Sequence, residues 1–344
     1  MKLKIKQIVF TKVNTAELLN MGELDLDLIG ENQVVVKTAI SNISNGTEKA
    51  NITGNPNISI CEEEVFSFPR YLGYSSTGTV IKVGNAVTSV KEGDRVVVFD
   101  GYHKNYNVMS ENKVVKVPSN DISFNDCAIS YISTFPLAAV RKTEVEIGES
   151  ALVMGLGILG QCAVKYFKIA GAVPVIAVDP VKERREQALL SGADYVLDPT
   201  EPNFANKVKE LTNGGVNACV EVTGLGVGLN QALDCMAKFG RIALLGCTRD
   251  KNFTVDYYRK VHGPGIKLIG AHTAARPTIE SHPSYFTTAD DIRSALYLLQ
   301  YNRITFVDLL KEVHSPNECG EVFYRLATDK NFPLCVQFDW SKLD

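Results

Sequence analysis

The sequence predicts an α/β fold, a doubly wound parallel sheet carried beside a second, β-rich domain. Three observations predict it. At 344 residues the chain has room for two domains of roughly 150 residues each. After about Cys127 the short apolar runs SALVMG, PVIAV, DYVL, NACVEV, RIALLG and IKLIG recur, several of them separated by helical stretches such as GQCAVKYFKIA and NQALDCMAKF. That texture is what a parallel sheet covered on both faces requires. Before that point the alternating runs QVVVKTAI, STGTVIKVG, GDRVVVF and NKVVKVP, broken by Gly, Asn and Pro, predict a small antiparallel, barrel-like domain.

Taken in order, MKLKIKQIVF alternates Lys with apolar side chains and reads as an edge strand, not a secretory leader. The chain is therefore expected to start at or near Met1 in the cytoplasm. The polar, then acidic stretch from Asn51 to Pro69, with CEEEVFSFPR, reads as a solvated surface lobe. After about His272 one helix stands out, TADDIRSALYLLQ, with Thr288 as its cap and Asp290 and Asp291 in its first turn. Lys plus Arg total 36 against 39 Asp plus Glu, with 45% apolar and 22% charged residues. This composition excludes a disordered or collagen-like chain, and the lack of a Lys/Arg block argues against a nucleic-acid partner. No apolar run approaches the roughly 18 residues of a membrane span. The eight cysteines form no Cys-x-x-Cys pair, so neither a disulfide framework nor a zinc ribbon is expected.

Gly155-Leu-Gly157-Ile-Leu-Gly160 follows the strand-like run Ala151 to Met154 and opens an amphipathic helix. Gly155 permits a tight turn, Gly157 lets the backbone approach a pyrophosphate, and Gly160 allows close packing of helix on strand. The helix start then offers its free N–H groups to the phosphates. A second strand, VPVIAV, ends in Asp179, whose carboxylate can accept from both ribose hydroxyls and repel a 2′-phosphate. NAD is expected over NADP on that ground. The basic residues Lys182, Arg184 and Arg185 weigh the other way, by neutralising a phosphate, unless they pair with Asp179 or lie along the adenine edge.

With these residues in hand, the chain resembles the medium-chain dehydrogenase/reductase superfamily, the alcohol and polyol dehydrogenases and their zinc-free relatives. The resemblance rests on FPRYLGYSSTGTVIKVGNAVTSVKEGDRVVV, NKVVKVP, AAVRKTEVEIGESALVMGLGILGQ, IAVDP, CVEVTG and GRIALLG. It implies a GroES-like catalytic domain in two segments, 1–131 and 273–344, around a Rossmann domain at 132–272. It also implies a cofactor site of Gly155, Gly157, Ile158, Leu159, Gly160, Asp179 and Arg184, with Thr223 and Gly246 from the last two motifs. Zinc-dependent members carry metal ligands at three positions that here hold Ser44, Tyr74 and Tyr131, and hydroxyls are poor zinc ligands beside thiolate and imidazole. The four-cysteine lobe is missing as well. The SNISNGTE, GYH and VHGPGIKLIGAHTAARP segments look most like a branch lacking zinc, so neither a catalytic nor a structural zinc is expected.

Without a metal, a side chain must take the alcohol proton and donors must stabilise the developing oxyanion. Tyr74 stands at a ligand position and can donate to the substrate oxygen; His103, in a short loop, carries the imidazole suited to taking a proton near pH 7, or is a structural histidine. Thr47 and Glu48 end the loop that feeds the proton relay in the family, though Glu48 reads equally as a strand-to-helix cap. Ser44 completes the catalytic set. His272 is expected to line the substrate pocket, Arg276 to bind an anionic or hydroxyl group there, and Tyr131 to line the pocket or only to pack.

The expected activity is hydride transfer between NAD(H) and a secondary alcohol or ketone of a polyol, cyclitol or sugar-like substrate, independent of zinc. The alternatives are a quinone or enone reductase using NAD(P)H, and a dinucleotide-binding protein without catalysis. The resemblance also implies a homodimer or homotetramer.

Overall fold

The computed structural model describes residues 1–55, 66–248 and 252–343. The acidic part of the expected Asn51–Pro69 lobe, Cys61 included, lies outside the described residues. The chain divides into two compact units, Met1–Ile132 with Ile292–Asp344, and Ser133–Asp291.

In the first unit β1 (Lys2–Lys12), β2 (Thr15–Asp25), β3 (Gln33–Asn42), α1 (Asn45–Ile52), β4 (Arg70–Tyr71), β5 (Ser75–Val83), β6 (Arg95–Phe99), β7 (Tyr106–Ser110) and β8 (Val114–Lys116) precede α2 (Phe124–Lys142). The predicted run MKLKIKQIVF is not an edge strand: β1 lies between β2 and β4, and Ile8, Val9 and Phe10 are buried. Its exposed lysines mark only the outward face of a strand whose other face fills a core with Phe323, Phe338 and Trp340. The larger sheet is antiparallel over β3, β5, β6 and β8, with β7 also paired to β3. Val34 and Val36 of β3 meet Val80, Val96 and Val98 from the neighbouring strands in a valine-rich core, where branched side chains suit a pleated surface.

The second unit runs β9 (Ala151–Met154), α3 (Ile158–Ile169), β10 (Val175–Val178), α4 (Lys182–Leu190), β11 (Tyr195–Leu197), α5 (Phe204–Leu211), β12 (Val216–Glu221), α6 (Gly226–Asp234), β13 (Met236–Leu244) and β14 (Lys267–Gly270). Its six parallel strands stand in the order β11-β10-β9-β12-β13-β14, so the winding reverses between β9 and β12. This is the Rossmann order, and ligands of such sheets bind outside the carboxyl ends of the strands at that reversal. Every residue of β9 and β10 is buried, which is why their sequences are unbroken apolar runs. The predicted helical stretch NQALDCMAKF is divided: α6 stops at Asp234, and from Met236 the chain is β13, held by parallel pairing to β12.

The chain returns to the first unit through α7 (Thr288–Gln300), β15 (Glu312–His314), α8 (Cys319–Thr328) and β16 (Val336–Asp339), the last pairing with β3. The segment Thr273–Asp291, expected in the second catalytic segment, groups with the Rossmann unit instead. Two cations tie it there: Lys142 Nζ donates to the carbonyls of Gly270 and Ala275 at 3.0 and 2.6 Å, and Arg276 Nη2 to that of Thr134 at 2.7 Å. The cap of α7 is Thr287, whose hydroxyl accepts from Asp290 N–H at 3.2 Å, one residue before the expected Thr288. Among the described residues no helix is long and apolar enough to cross a membrane.

Candidate functional site

The glycine turn sits at the reversal of the Rossmann sheet, and its three glycines answer to three different constraints. Gly155 has φ +97°, and a Cβ there would lie 2.9 Å from Thr223 Cγ2 on the loop after β12. At Gly160 a Cβ would fall 1.9 Å from the Gly155 carbonyl oxygen, so helix and turn touch backbone to backbone. Around Gly157 there is open space within 4 Å, room at the mouth of α3 for a phosphate to meet the backbone. The first intrahelical bond of α3 runs from Gln161 N–H to Gly157 C=O at 2.9 Å, leaving the amides of Ile158, Leu159 and Gly160 to an incoming anion.

Asp179 is only 4% exposed. Its Oδ2 accepts from Leu156 N–H and its Oδ1 from Val181 N–H, both at 2.8 Å. A carboxylate has about four lone-pair positions, so two remain for a ribose. The basic cluster disperses. Arg185 is spent on Asp198 and on the carbonyls of Asp179 and Pro180, Lys182 faces Glu186, and Arg184 alone stands beside Asp179, at 3.6 Å from Oδ2. Gln161 steadies this corner by donating to the Leu156 and Arg184 carbonyls.

Sequence reasoning missed Glu221. Standing at the carboxyl end of β12 and 3% exposed, it accepts from Thr223 N–H at 2.8 Å, from the Thr223 hydroxyl, and from Gly224 N–H at 3.2 Å. Burial raises its carboxyl above the ordinary value, and those three donors pull it back. The predicted residue Thr223 is thus oriented by Glu221. Gly246 packs on the same loop, since a Cβ there would lie 2.2 Å from Gly224 N. The signal in the sequence was an acid closing an apolar strand ahead of Thr-Gly.

In the first unit the three positions that the resemblance compares with metal ligands come together. Tyr74 OH donates to Ser44 Oγ at 2.5 Å, and the Tyr74 and Tyr131 rings meet edge to face at 5.6 Å. The Tyr131 hydroxyl turns to Asp100 Oδ1 at 2.7 Å, and the ring is 7% exposed, so Tyr131 chiefly packs. Ser44 caps the N-terminus of α1 without a side-chain bond to it, and Thr47 is exposed in the first turn. Three hydroxyls and no thiolate or imidazole do not fit a zinc ion. Among the described residues no group of three or more His, Cys, Asp or Glu side chains could hold a metal.

Two predicted roles are corrected. His103 is 1% exposed, with Nδ1 2.8 Å from Ser41 Oγ and Nε2 3.1 Å from the fully buried Glu48, so both ring nitrogens are committed and neither side chain is open to solvent. Arg276 does not present its guanidinium to a pocket. Its side chain is 5% exposed and pairs with Asp291 at 3.3 Å besides donating to Thr134. His272 is half-buried, with Nδ1 accepting from Ala274 N–H at 3.1 Å; burial, then the nearby Lys142 ammonium, lowers its pKa and favours the neutral ring.

Residues 30–119 match the family described as alcohol dehydrogenase GroES-like domain, and residues 159–282 the family described as zinc-binding dehydrogenase. The chain is similar to D-guloside 3-dehydrogenase of Escherichia coli K12, 28% identical over 209 residues, 60% of this chain and 59% of the relative. It is similar also to (R,R)-butanediol dehydrogenase of Bacillus subtilis, 29% identical over 204 residues, 52% of this chain and 58% of the relative. These matches span about three fifths of the relatives' length. A structure described as a short chain alcohol dehydrogenase from Escherichia coli CFT073, complexed with NADH, shares the fold with a TM-score of 0.81 at 17% identity, covering 98% of this chain and 99% of that one.

Proposed function

We propose, from the premise that the chain belongs to the medium-chain dehydrogenase/reductase superfamily, whose two domain families it matches in order, that it is an oxidoreductase moving a hydride between NAD(H) and a secondary alcohol or ketone of a polyol, cyclitol or sugar-like substrate, without zinc. The observation that carries the zinc-free part is the Tyr74–Ser44 hydroxyl pair at positions where zinc-dependent members hold their metal. The names of the relatives, dehydrogenases of a guloside and of butanediol, support a hydroxylated substrate.

Bound NAD supplies the hydride acceptor; the alcohol proton is the protein's task. Tyr74, half-buried, meets the substrate oxygen, takes its proton while passing its own to Ser44 Oγ, and Ser44 releases a proton to solvent. In the opposite direction Tyr74 donates to the carbonyl. The positive end of α1 at Asn45, Gly46 and Thr47 favours the oxyanion that develops between these two states. Of the residues named with them, Glu48 and His103 have no direct part in the transfer.

NAD is favoured over NADP because the Asp179 carboxylate opposes a 2′-phosphate and only Arg184 of the basic cluster stands beside it. A second copy is the expected partner, through the exposed edge strand β14, and the free thiols among the described residues suit the cytoplasm.

The test is NADH formation by metal-stripped protein over a panel of polyols, cyclitols, sugars and glycosides. Turnover that zinc does not increase is the expected result. Turnover restored only by zinc would overturn the metal-free reading, and a blank panel with enone reduction intact would move the protein to the reductases.

A further inference from the structure

Ser44 and Tyr74 come from different loops, yet their hydroxyls meet. Ser44 enters α1 after β3; Tyr74 follows Gly73 on the way into β5. What spans the two loops is the buried pair Glu48 and His103. On one side Glu48 Oε1 accepts from Ser44 N–H at 3.2 Å, and Glu48 N–H donates to the Ser44 carbonyl at 2.8 Å. On the other side His103 N–H donates to the Leu72 carbonyl at 2.8 Å, while Gly73 lies against the imidazole so closely that a Cβ there would fall 2.4 Å from His103 Cγ. Phe323 and Phe338 flank the ring, with centroids at 5.8 and 5.5 Å.

With Glu48 as a carboxylate, the hydrogen bonds assign where the protons are. Its Oε2 can only accept, so His103 Nε2 carries the hydrogen of that 3.1 Å contact. In the neutral ring Nδ1 is then an acceptor, filled by the Ser41 hydroxyl at 2.8 Å, and Ser41 Oγ in turn accepts from Trp340 Nε1–H at 2.8 Å. The donors run one way, Trp340 to Ser41 to His103 to Glu48, with Ser44 N–H closing on the second carboxylate oxygen. An imidazolium would break this order: Ser41 Oγ would accept from both Trp340 and Nδ1, leaving the hydrogen of a fully buried hydroxyl with no acceptor among its described contacts.

We propose that Glu48 and His103 are positioning residues, a carboxylate and a neutral, Nε2-protonated imidazole whose contact sets the spacing of the Ser44 and Tyr74 hydroxyls. This rests on the reading of those hydroxyls as the groups that handle the substrate proton. It assigns the buried pair no contact with substrate.

Glu48→Gln tests it in the full chain. Gln has one acceptor oxygen where Glu has two, so it cannot accept from both Ser44 N–H and His103 Nε2–H, and moving the ring hydrogen to Nδ1 would orphan the Ser41 hydrogen; either way one buried hydrogen is left unpaired and the contact gives way. Nitrogen-15 NMR of the histidine rings is expected to show His103 as the Nε2–H tautomer in the natural protein and a displaced Nε2 resonance in Glu48→Gln. With the hydroxyls displaced, kcat falls by about 10- to 100-fold while KM for NAD holds, the order a misplaced group costs. A His103 found as the Nδ1–H tautomer in the natural protein, or an Nε2 resonance unmoved in Glu48→Gln, overturns the proposal. Undiminished kcat in Glu48→Gln beside an inactive Tyr74→Phe overturns the positioning role alone. Undiminished kcat in both overturns it together with the reading of the site.

Discussion

Asp179 Oδ2 accepts from the main-chain N–H of Leu156 at 2.8 Å, so the carboxylate expected at the ribose is also the tie that holds the glycine turn to the end of β10. Asp179→Ala is therefore predicted to lose two things. The turn loosens, which weakens NADH and NADPH alike, and the opposition to a 2′-phosphate disappears, which narrows the gap between them. Fluorescence titration with both nucleotides separates these effects: a drop in NADH affinity of about 10- to 100-fold, roughly 1.4 to 3 kcal/mol, with a smaller drop for NADPH. An unchanged NADH to NADPH ratio would show that Asp179 holds the turn only.

Gly157 and Gly160 occupy the same motif, and their alanine variants are predicted to fail differently. A methyl at Gly160 collides with the Gly155 carbonyl at 1.9 Å, so the backbone of turn or helix must move. Overpacking of this kind costs about 1–3 kcal/mol, read as a lowered urea midpoint. At Gly157 the methyl meets no protein atom within 4 Å, so stability should hold while NADH affinity falls, the methyl standing where phosphate approaches. A Gly157→Ala protein with full NADH affinity would remove the pyrophosphate from that turn.

What the sequence revealed follows from how local each signal is. The buried parallel strands were legible because β9 and β10 are apolar at every position, and the turn was legible because three glycines serve one short stretch of chain. The edge assignment of β1 failed because alternation reports one buried face and says nothing of hydrogen-bond neighbours on either side. The two readings of His103 stayed open for a similar reason. Its partner Glu48 is 55 residues away and its other neighbour Ser41 is 62 away, so only the assembled first unit brings them together. Arg276 meets Thr134 across 142 residues. Ser44, Tyr74 and Tyr131 could be grouped beforehand only through the resemblance.

Tyr74→Phe keeps the ring that packs on Tyr131 and removes the hydroxyl that reaches Ser44. The fold and NADH binding are predicted to be unchanged. Loss of a group that donates and accepts the reacting proton costs about 100- to 10,000-fold in kcat. Stopped-flow hydride transfer on the substrate found by the panel checks this, and near-normal rates would shift the proton-handling role to His272.

Arg276 and Arg141 both reach the Asp291 carboxylate, at 3.3 and 3.0 Å, and the carboxylate is fully buried. Burial pushes the Asp291 carboxyl up to about 6, against the pull of the Arg276 and Arg141 guanidiniums. A carboxyl raised in this way stabilises the fold fully only below its unfolded value near 3.9, and that contribution is lost as pH rises through 6. Arg276→Met takes away one of the two cations and raises the carboxyl further. The penalty is then largest where Asp291 must stay charged, about 3–5 kcal/mol at pH 8, the usual cost of breaking a buried pair. It shrinks toward pH 5, where the carboxyl is neutral in both proteins and the missing cation no longer matters. Urea unfolding of the two proteins at pH 5 and pH 8 measures the difference. Equal stability at pH 8 together with a raised substrate KM would return Arg276 to the substrate pocket, and a pH-independent loss would mean that its bond to Thr134, not the ion pair, holds the segment after β14 on the Rossmann unit.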